Sequence, residues 1–314
     1  MHVAVYGAGA LGCVYGVRLA SRARTTVSFV VREHRVSERE PFLIEHAGRT
    51  DAETIVHPLR TSTVPADADV ILLAVGTGDL EAIRPTLEAS SAPIVVLTPM
   101  MPHEWDAMRT TFGERALAAM PNVVSYVNDA KRIRYWLAPA PTRIDEPRAK
   151  HGDTIRALAT ALSEAGLRGR LELAVHETNP ATTVCFIPLG MAVALAGGLE
   201  ALARNDVLLD LSRRACREGS ALARRIGKPE TFAPFASVVA SGPALRTLVR
   251  WLAWRSPEVL HYIDLHFGAK LVAQHRDMAK AMEELAIEKD VPHEAIAEIA
   301  RRLADTARVN SRIA

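Results

Sequence analysis

Residues 3–16 read VAVYGAGALGCVYG. The run Val3–Tyr6 is apolar and ends at a glycine, and apolar residues then recur at helical spacing from Leu11 to Ser21. The stretch therefore predicts a strand, a tight turn and a helix. Glycines in the spacing Gly-x-Gly-x-x-Gly between such a strand and helix allow the turn, the close approach of a diphosphate and close helix packing. We predict that a dinucleotide diphosphate binds at Gly7, Ala8, Gly9, Ala10, Leu11 and Gly12.

Further apolar runs follow this motif, and helical patterns separate some of them. Continuous rather than alternating apolar runs are typical of parallel strands that are buried on both faces. The runs are 27–31, 69–75 and 93–99, with helical patterns at 80–87 and 104–111 and two later strands at 122–127 and 134–137. The first half is thus predicted to be a Rossmann-like, doubly wound α/β domain.

The strand signals stop after Leu173. Helical patterns then cover 190–203, 207–226, 243–254, 269–289 and 293–306. We predict a dinucleotide-binding domain over residues 1–169 and an all-α domain, for substrate binding or dimerisation, over residues 170–314.

The composition is that of an ordinary globular protein, with 49% hydrophobic residues, and its 38 basic residues are nearly matched by 36 acidic ones. No long basic block indicates a nucleic acid or a membrane surface as partner. The three cysteines lie far apart, which argues against a disulfide framework or a metal site and fits the cytoplasm. No signal peptide is expected, because the first strand begins near His2, and the apolar stretch 186–199 is interpreted as a buried helix rather than a membrane span.

The end of the second strand discriminates between the nicotinamide coenzymes. An NAD site carries an acidic residue about 20 residues past the glycines, whereas this chain has Arg32 there. A guanidinium pairs well with a ribose 2′-phosphate, so the sequence favours NADP. Val75 and Gly76, at the end of the 69–75 strand, are expected to lie beside the same coenzyme. Glu33 complicates this interpretation, and a solvated loop arginine is the alternative reading of Arg32.

The chain resembles the ketopantoate reductase (2-dehydropantoate 2-reductase) family, part of the 6-phosphogluconate dehydrogenase-like superfamily. The resemblance rests on Val5–Gly16, on Val31-Arg32, on Asp69–Val75 and, more weakly, on Ile263-Asp264 and Gly268. It implies hydride transfer from NADPH to an α-keto acid, and a lysine on the first long helix of the second domain that polarises the carbonyl.

The chain departs from this family where the chemistry is expected. Gly76-Thr77-Gly78 stands where a lysine is usual, and Thr98–Pro102 lacks the family's asparagine and glycine. No lysine occurs between Lys150 and Lys228, and the family's later glutamate falls on Tyr262.

Other residues are therefore candidates for the donor to the carbonyl. His176 and Asn179 precede the helix that faces the nicotinamide in the family, and Lys270 lies on one helical stripe with His266 and Asp277. The alternative interpretation is that both sets of residues lie at the protein surface and have no catalytic role. Two further pairs are interpreted either as pocket residues or as core and interface residues: Met100 with Met101, and Arg246 with Arg250 beside Trp251 and Trp254.

The sequence thus predicts an NADP-dependent oxidoreductase that acts on a small carbonyl compound such as a keto acid, with a homodimer as the candidate assembly. Two alternatives remain open. One is an NADPH-binding sensor or partner protein without catalysis, and the other is a hydroxyacid or opine dehydrogenase-like enzyme on the same scaffold.

Overall fold

A computed structural model describes residues 1–23, 25–47, 52–55, 57–76, 80–128, 130, 132–147, 150–231, 233, 236–267 and 272–313. The chain forms two compact units, Met1–Asn179 and Pro180–Ala314. Gly169, where the sequence places the domain boundary, begins a strand that pairs within the first unit.

The described part of the first unit contains both strands and helices. Its strands are β1 (His2–Tyr6), β2 (Thr26–Val30), β3 (Phe42–His46), β4 (Ala52–Ile55), β5 (Leu59–Thr61), β6 (Val70–Leu73), β7 (Ile94–Val96), β8 (Ala116–Met120), β9 (Val123–Val127), β10 (Ile133–Leu137), β11 (Thr142–Asp145) and β12 (Gly169–Glu172). Its helices are α1 (Ala10–Arg22), α2 (Leu80–Glu88), α3 (Pro102–Phe112) and α4 (Gly152–Glu164).

The main sheet has the strand order β5-β2-β1-β6-β7-β8-β11-β12. The six neighbouring strands β5, β2, β1, β6, β7 and β8 are parallel to one another, and β11 pairs with β8 in the antiparallel sense. From β1 the chain proceeds first to β2 on one side and later to β6 on the other, so the strand order reverses between β1 and β6. The predicted doubly wound α/β fold is confirmed, and ligands of such sheets bind at this switch point, at the carboxyl ends of the strands.

A second sheet, of order β4-β3-β10-β9, covers α1 from the side opposite the main sheet. The two later strands of the sequence prediction, now β9 and β10, belong to this sheet. Helix α1 is buried continuously from Gly12 to Leu19, as expected for a helix enclosed by neighbours on all sides. The position of α1 is therefore fixed by two sheets, and with it the position of the glycine turn.

Polar side chains anchor α1 in this buried layer. Arg18, only 5% exposed, donates to the carbonyl of Ala165 at 2.7 Å, to the Tyr135 hydroxyl at 2.6 Å and to Glu53 at 3.3 Å. Arg22, at the solvent edge, donates to the same Glu53 carboxylate at 2.8 and 2.9 Å. One turn of helix thus ties strands of the second sheet to the loop after α4.

The Glu53 carboxylate makes the stability of this layer dependent on pH. Burial raises the pKa of Glu53, but the hydrogen bond from Arg22 and the charges of Arg18 and Arg22 outweigh burial, so the net pKa lies below its usual value. A lowered folded-state pKa stabilises the fold above the unfolded pKa of about 4.3, and this stability is lost as the pH falls through the folded pKa. We expect Glu53→Gln to be less stable than wild type at neutral pH, with a difference that shrinks below about pH 4. Urea unfolding of both proteins across this range measures it, and a difference independent of pH would contradict it.

The second unit is helical. Its helices are α5 (Val175–Ala196, which begins in the first unit), α6 (Leu199–Arg204), α7 (Asp206–Ile226), α8 (Ala236–Val239), α9 (Gly242–Arg255), α10 (Pro257–Phe267), α11 (Val272–Glu288) and α12 (Glu294–Ile313). The single helix predicted over 190–203 is wrong, because Gly197 and Gly198 adopt φ values of +80° and +148° and break it. Asp264 then accepts a hydrogen bond from the Leu199 N–H, at 2.7 Å, where the chain resumes as α6.

Helix α5 is long and apolar enough to cross a membrane, with a mean hydropathy of 1.5 over its most apolar window. However, 61% of that window is buried inside the protein. This is the pattern of a core helix, and it agrees with the buried helix predicted for the apolar stretch.

Candidate functional site

The glycine turn between β1 and α1 requires glycine at two positions. Gly7 has φ +103°, and a Cβ atom there would lie 2.7 Å from the Ala74 carbonyl oxygen, at the end of β6. A Cβ atom at Gly12 would lie 2.0 Å from the Gly7 carbonyl oxygen. The first and third glycines therefore permit the turn and the packing of α1 on it, as the sequence predicts.

Gly9 has a different role, because a Cβ atom there would have nothing within 4 Å. It caps α1 with extended backbone (φ −83°, ψ −175°), no side chain caps the helix, and no acidic residue lies in the first turn. The first backbone N–H groups of a helix have no partner within it, and the helix dipole places partial positive charge there. An open, uncapped helix start at the switch point of a parallel sheet suits the diphosphate of a dinucleotide.

The end of β6 forms the other wall of this turn. A Cβ atom on Gly7 would be 2.8 Å from the Val75 Cγ1, whereas a Cβ atom on Gly76 would have open space, with nothing within 4 Å. The Thr98 hydroxyl donates to the Val75 carbonyl at 2.5 Å, which holds the loops after β6 and β7 together. Thr77 and Gly78 lie outside the described residues. Met100 and Met101 are buried, at 3% and 2% exposure, so they fill the core rather than a pocket.

Arg32 follows β2 and is exposed, at the start of a short 3₁₀ turn over Glu33–Arg35. Arg35 donates to the Glu38 carboxylate at 3.0 Å, and this hydrogen bond holds the pKa of Glu38 below its usual value. In the described loop after β2, Arg32 is exposed and Arg35 is hydrogen-bonded to a neighbouring carboxylate.

His176 and Asn179 lie within the first turns of α5, not before the helix as the sequence predicts. The Asn179 amide is buried and donates to the Ala119 carbonyl at 2.7 Å. The His176 Nδ1 lies 3.0 and 3.1 Å from the two oxygens of Asp145, and its ring stacks on Trp105 at 6.4 Å between centroids. Asp145 also accepts from the Ala118 N–H at 3.3 Å. Asp145 was not predicted, because it becomes a neighbour of His176 only through the pairing of β11 with β8.

The His176–Asp145 pair lies away from the glycine turn. The register of β11 on β8 places Ile144 opposite Ala119 and therefore Asp145 beside Ala118, three strands from β6. The cavity next to the pair, of about 380 Å³, is lined by residues at the start of β8 and the ends of β11 and β12, among them Gly113, Glu114, Ala116, Glu146 and Leu173. This is the amino edge of the parallel strands, opposite the edge that carries Gly9.

The remaining candidates do not form a site in the described chain. Lys270 lies outside the described residues, and Asp277 is hydrogen-bonded to Arg276 at 2.9 Å. Arg246 donates to the Ala203 carbonyl at 2.8 Å and pairs with Asp206. Burial raises the pKa of Tyr262, at the position of the family's glutamate. Among the described residues, no group of three or more histidine, cysteine or acidic side chains is placed to hold a metal ion.

The described chain thus has a doubly wound α/β first unit with an open glycine turn at the switch point of its sheet, and a helical second unit. Residues 3–142 match the family model described as ketopantoate reductase PanE/ApbA. None of the curated proteins compared matches the chain significantly.

Solved structures share the fold over nearly the whole chain. A 2-dehydropantoate 2-reductase from Geobacter metallireducens GS-15 is 16% identical, with a TM-score of 0.71 over 98% of this chain and 100% of the other. A putative ketopantoate reductase from Ralstonia solanacearum MolK2 is 17% identical, with a TM-score of 0.70 over 98% of both chains. D-mandelate dehydrogenase, solved with NADH and anilino(oxo)acetate, is 15% identical, with a TM-score of 0.72 over 97% of both chains.

Proposed function

We propose that the protein is an NADP-dependent reductase that transfers hydride to a 2-keto acid or a related small carbonyl compound. The observation that carries the proposal is the open first turn of α1 at Gly9, located where the strand order of the sheet reverses. The match of residues 3–142 to the reductase family model supports it, as does the likeness in fold to a dehydrogenase solved with NADH.

In this proposal the coenzyme supplies the hydride, and the residues of the first unit hold it. The backbone N–H groups from Ala10 to Gly12 bind the diphosphate, because they begin α1 and no side chain caps it. Val75 and Gly76 border the path of the nicotinamide half at the end of β6, and Arg32 binds the 2′-phosphate of the adenosine half.

We further propose that His176 and Asn179 support the fold rather than polarise the carbonyl. Both side chains are hydrogen-bonded to groups within the first unit: Asn179 to the Ala119 carbonyl and His176 to the Asp145 carboxylate. We expect His176→Ala to leave the affinity for NADPH within about twofold and to lower the free energy of unfolding by about 1–3 kcal/mol, since Asp145 loses a partner. Titration with NADPH and urea unfolding measure the two quantities. Loss of turnover with unchanged coenzyme affinity would instead make His176 catalytic.

A second candidate function is coenzyme binding without turnover. It is favoured by the absence of lysine between Lys150 and Lys228 and by the burial of Met100 and Met101 in the core. A third, a hydroxyacid or opine dehydrogenase-like activity, has the same coenzyme site and is favoured by the likeness in fold to D-mandelate dehydrogenase.

One experiment separates the reductase, the opine-type enzyme and the protein that only binds the coenzyme. Purified protein is mixed with NADPH, and the absorbance of the nicotinamide band is followed after addition of ketopantoate, then of other 2-keto acids, alone and with an amine. Oxidation of NADPH by a keto acid alone supports the proposal, and oxidation that needs an amine supports the opine-type alternative. NADPH binding without oxidation by any carbonyl compound would overturn the reductase proposal in favour of the binding protein.

We also propose a cytoplasmic homodimer. The cysteines Cys13, Cys185 and Cys216 are free and buried, which suits a reducing compartment. On α9, Trp251 and Trp254 are 52% and 80% exposed, and aromatic residues are enriched at interfaces. The mass in solution from light scattering tests the assembly, and a monomeric mass at micromolar concentration would contradict it.

A further inference from the structure

The loop after β2 is tied to the sheet by a buried arginine on β5. Arg60 is 7% exposed, and β5 pairs with β2 so that Arg60 stands opposite Phe29. Its Nη1 donates to the Glu38 carbonyl at 2.7 Å, and its Nη2 donates to the Glu40 carbonyl at 2.6 Å. The planar fork of one side chain thus fixes two successive points of the loop that begins at Arg32.

Aromatic packing fixes the guanidinium in turn. Its central carbon lies 4.4 Å from the centre of the Phe42 ring, in a cation–π arrangement, and Phe42 packs edge-on against Phe29 at 4.7 Å. Phe29 lies on β2 itself. The strand that leads into the loop, the strand that leaves it and the guanidinium that holds it therefore form one packed unit.

Arg60 also contributes positive charge at this end of the sheet. Both of its hydrogen-bond acceptors are neutral carbonyl groups, so its charge is not cancelled by a bonded carboxylate. Burial raises the pKa of the Cys13 thiol, in the first turn of α1, to about 12, and the charges of Arg35 and Arg60 act in the opposite direction. Arg60 lies opposite Phe29 on β2, and Phe29 lies opposite Val5 on β1, so this charge is located toward the end of the sheet that carries the glycine turn.

We infer that Arg60 is a positioning residue for coenzyme selectivity: it holds the loop after β2 so that Arg32 faces the 2′-phosphate, and its charge adds to the attraction of that phosphate. The inference rests on the proposed function. It assigns the choice of NADPH over NADH to a buried side chain as well as to the exposed Arg32.

Arg115 provides a matched control, because it lies directly before β8, at the amino ends of the parallel strands and away from the loop after β2. Arg115 likewise donates to two backbone carbonyls, those of Ala92 at 3.1 Å and Leu87 at 3.0 Å, and lies 5.6 Å from the centre of the Phe112 ring. Arg60→Met and Arg115→Met thus remove the same kinds of contact, but only the first alters the loop that carries Arg32.

Calorimetric titration of wild type and both variants with NADPH and NADH tests the inference. We expect Arg60→Met to weaken NADPH binding about tenfold, about 1.4 kcal/mol, and NADH binding by less than about threefold. Arg115→Met should change both affinities by less than about threefold, although both variants should lower the thermal midpoint. An unchanged ratio of the two affinities in Arg60→Met, with a wild type that prefers NADPH, would overturn the inference and leave the proposed function standing.

Two other outcomes are also decisive. A wild type that binds both coenzymes equally would contradict the proposed NADP preference and the inference with it. If Arg60→Met does not fold, Arg60→Lys replaces it, because an ammonium keeps the charge but cannot reproduce the planar fork to both carbonyls. A wild-type affinity ratio in Arg60→Lys would then show that the fork does not position the loop.

Discussion

Gly9→Asp is expected to abolish measurable NADPH binding while the fold stays intact. A side chain at this position has open space, and the extended backbone of Gly9 is that of a helix N-cap, where aspartate is a preferred residue. The free energy of unfolding should therefore stay within about 0.5 kcal/mol of wild type or rise slightly. The new carboxylate would occupy the first N–H groups of α1 and repel the diphosphate, so the affinity for NADPH should fall about a hundredfold or more.

Gly9→Asn is the matched control for this variant, because asparagine caps a helix equally well and carries no charge. It should weaken NADPH binding less than Gly9→Asp does, because it occupies the same N–H groups without repelling the diphosphate. Calorimetric titration and thermal unfolding of the two variants measure affinity and stability separately. If the folded Gly9→Asp protein bound NADPH like wild type, the diphosphate would not bind at the first turn of α1, and the proposal would be contradicted.

Arg18→Met should cause the largest loss of stability, about 3–5 kcal/mol in the free energy of unfolding. Arg18 is buried, and its removal leaves the Ala165 carbonyl and the Tyr135 hydroxyl without this donor. It also removes one of the two arginines, Arg18 and Arg22, that pair with the Glu53 carboxylate. Arg22→Met is the control, since the Arg22 side chain, 47% exposed, pairs with the same carboxylate at the surface. An exposed ion pair contributes about 1 kcal/mol or less, so the control should be much milder. Equal losses in the free energy of unfolding of the two variants, measured with urea, would show that the burial of Arg18 does not determine how much it stabilises the fold.

Much of the first unit could be predicted from sequence because its signals are local. The apolar runs at β1, β2, β6 and β7 and the glycine spacing each specify structure within a few residues. The second sheet was predicted only in part: its strands β9 and β10 were expected from sequence, whereas β3 and β4 were not. Its strand β4 reads AETI and alternates in burial, a pattern too short and polar to stand out from a loop. Its pairing with β3 and the burial of α1 beneath it are decided by tertiary contacts.

The same distinction between local sequence signals and tertiary contacts applies to the candidate site. The open turn at Gly9 follows from the motif, whereas the position of His176 depends on how β11 pairs with β8 across the sheet. No local pattern indicates that His176 meets Asp145 at the amino edge. Arg60 and its two carbonyl partners were missed for the same reason, since they are 20 and 22 residues apart in the chain and are joined by the parallel pairing of β2 with β5.

The central claim is that the start of α1 and Arg32 bind a 2′-phosphorylated dinucleotide. Calorimetric titration of the wild-type protein with NADPH and with NADH tests it most directly. We expect one site per chain and an affinity for NADPH that is roughly ten- to a hundredfold greater than that for NADH, since one paired phosphate contact contributes about 1.5–3 kcal/mol. Equal affinities, or no heat of binding with either coenzyme, would contradict it.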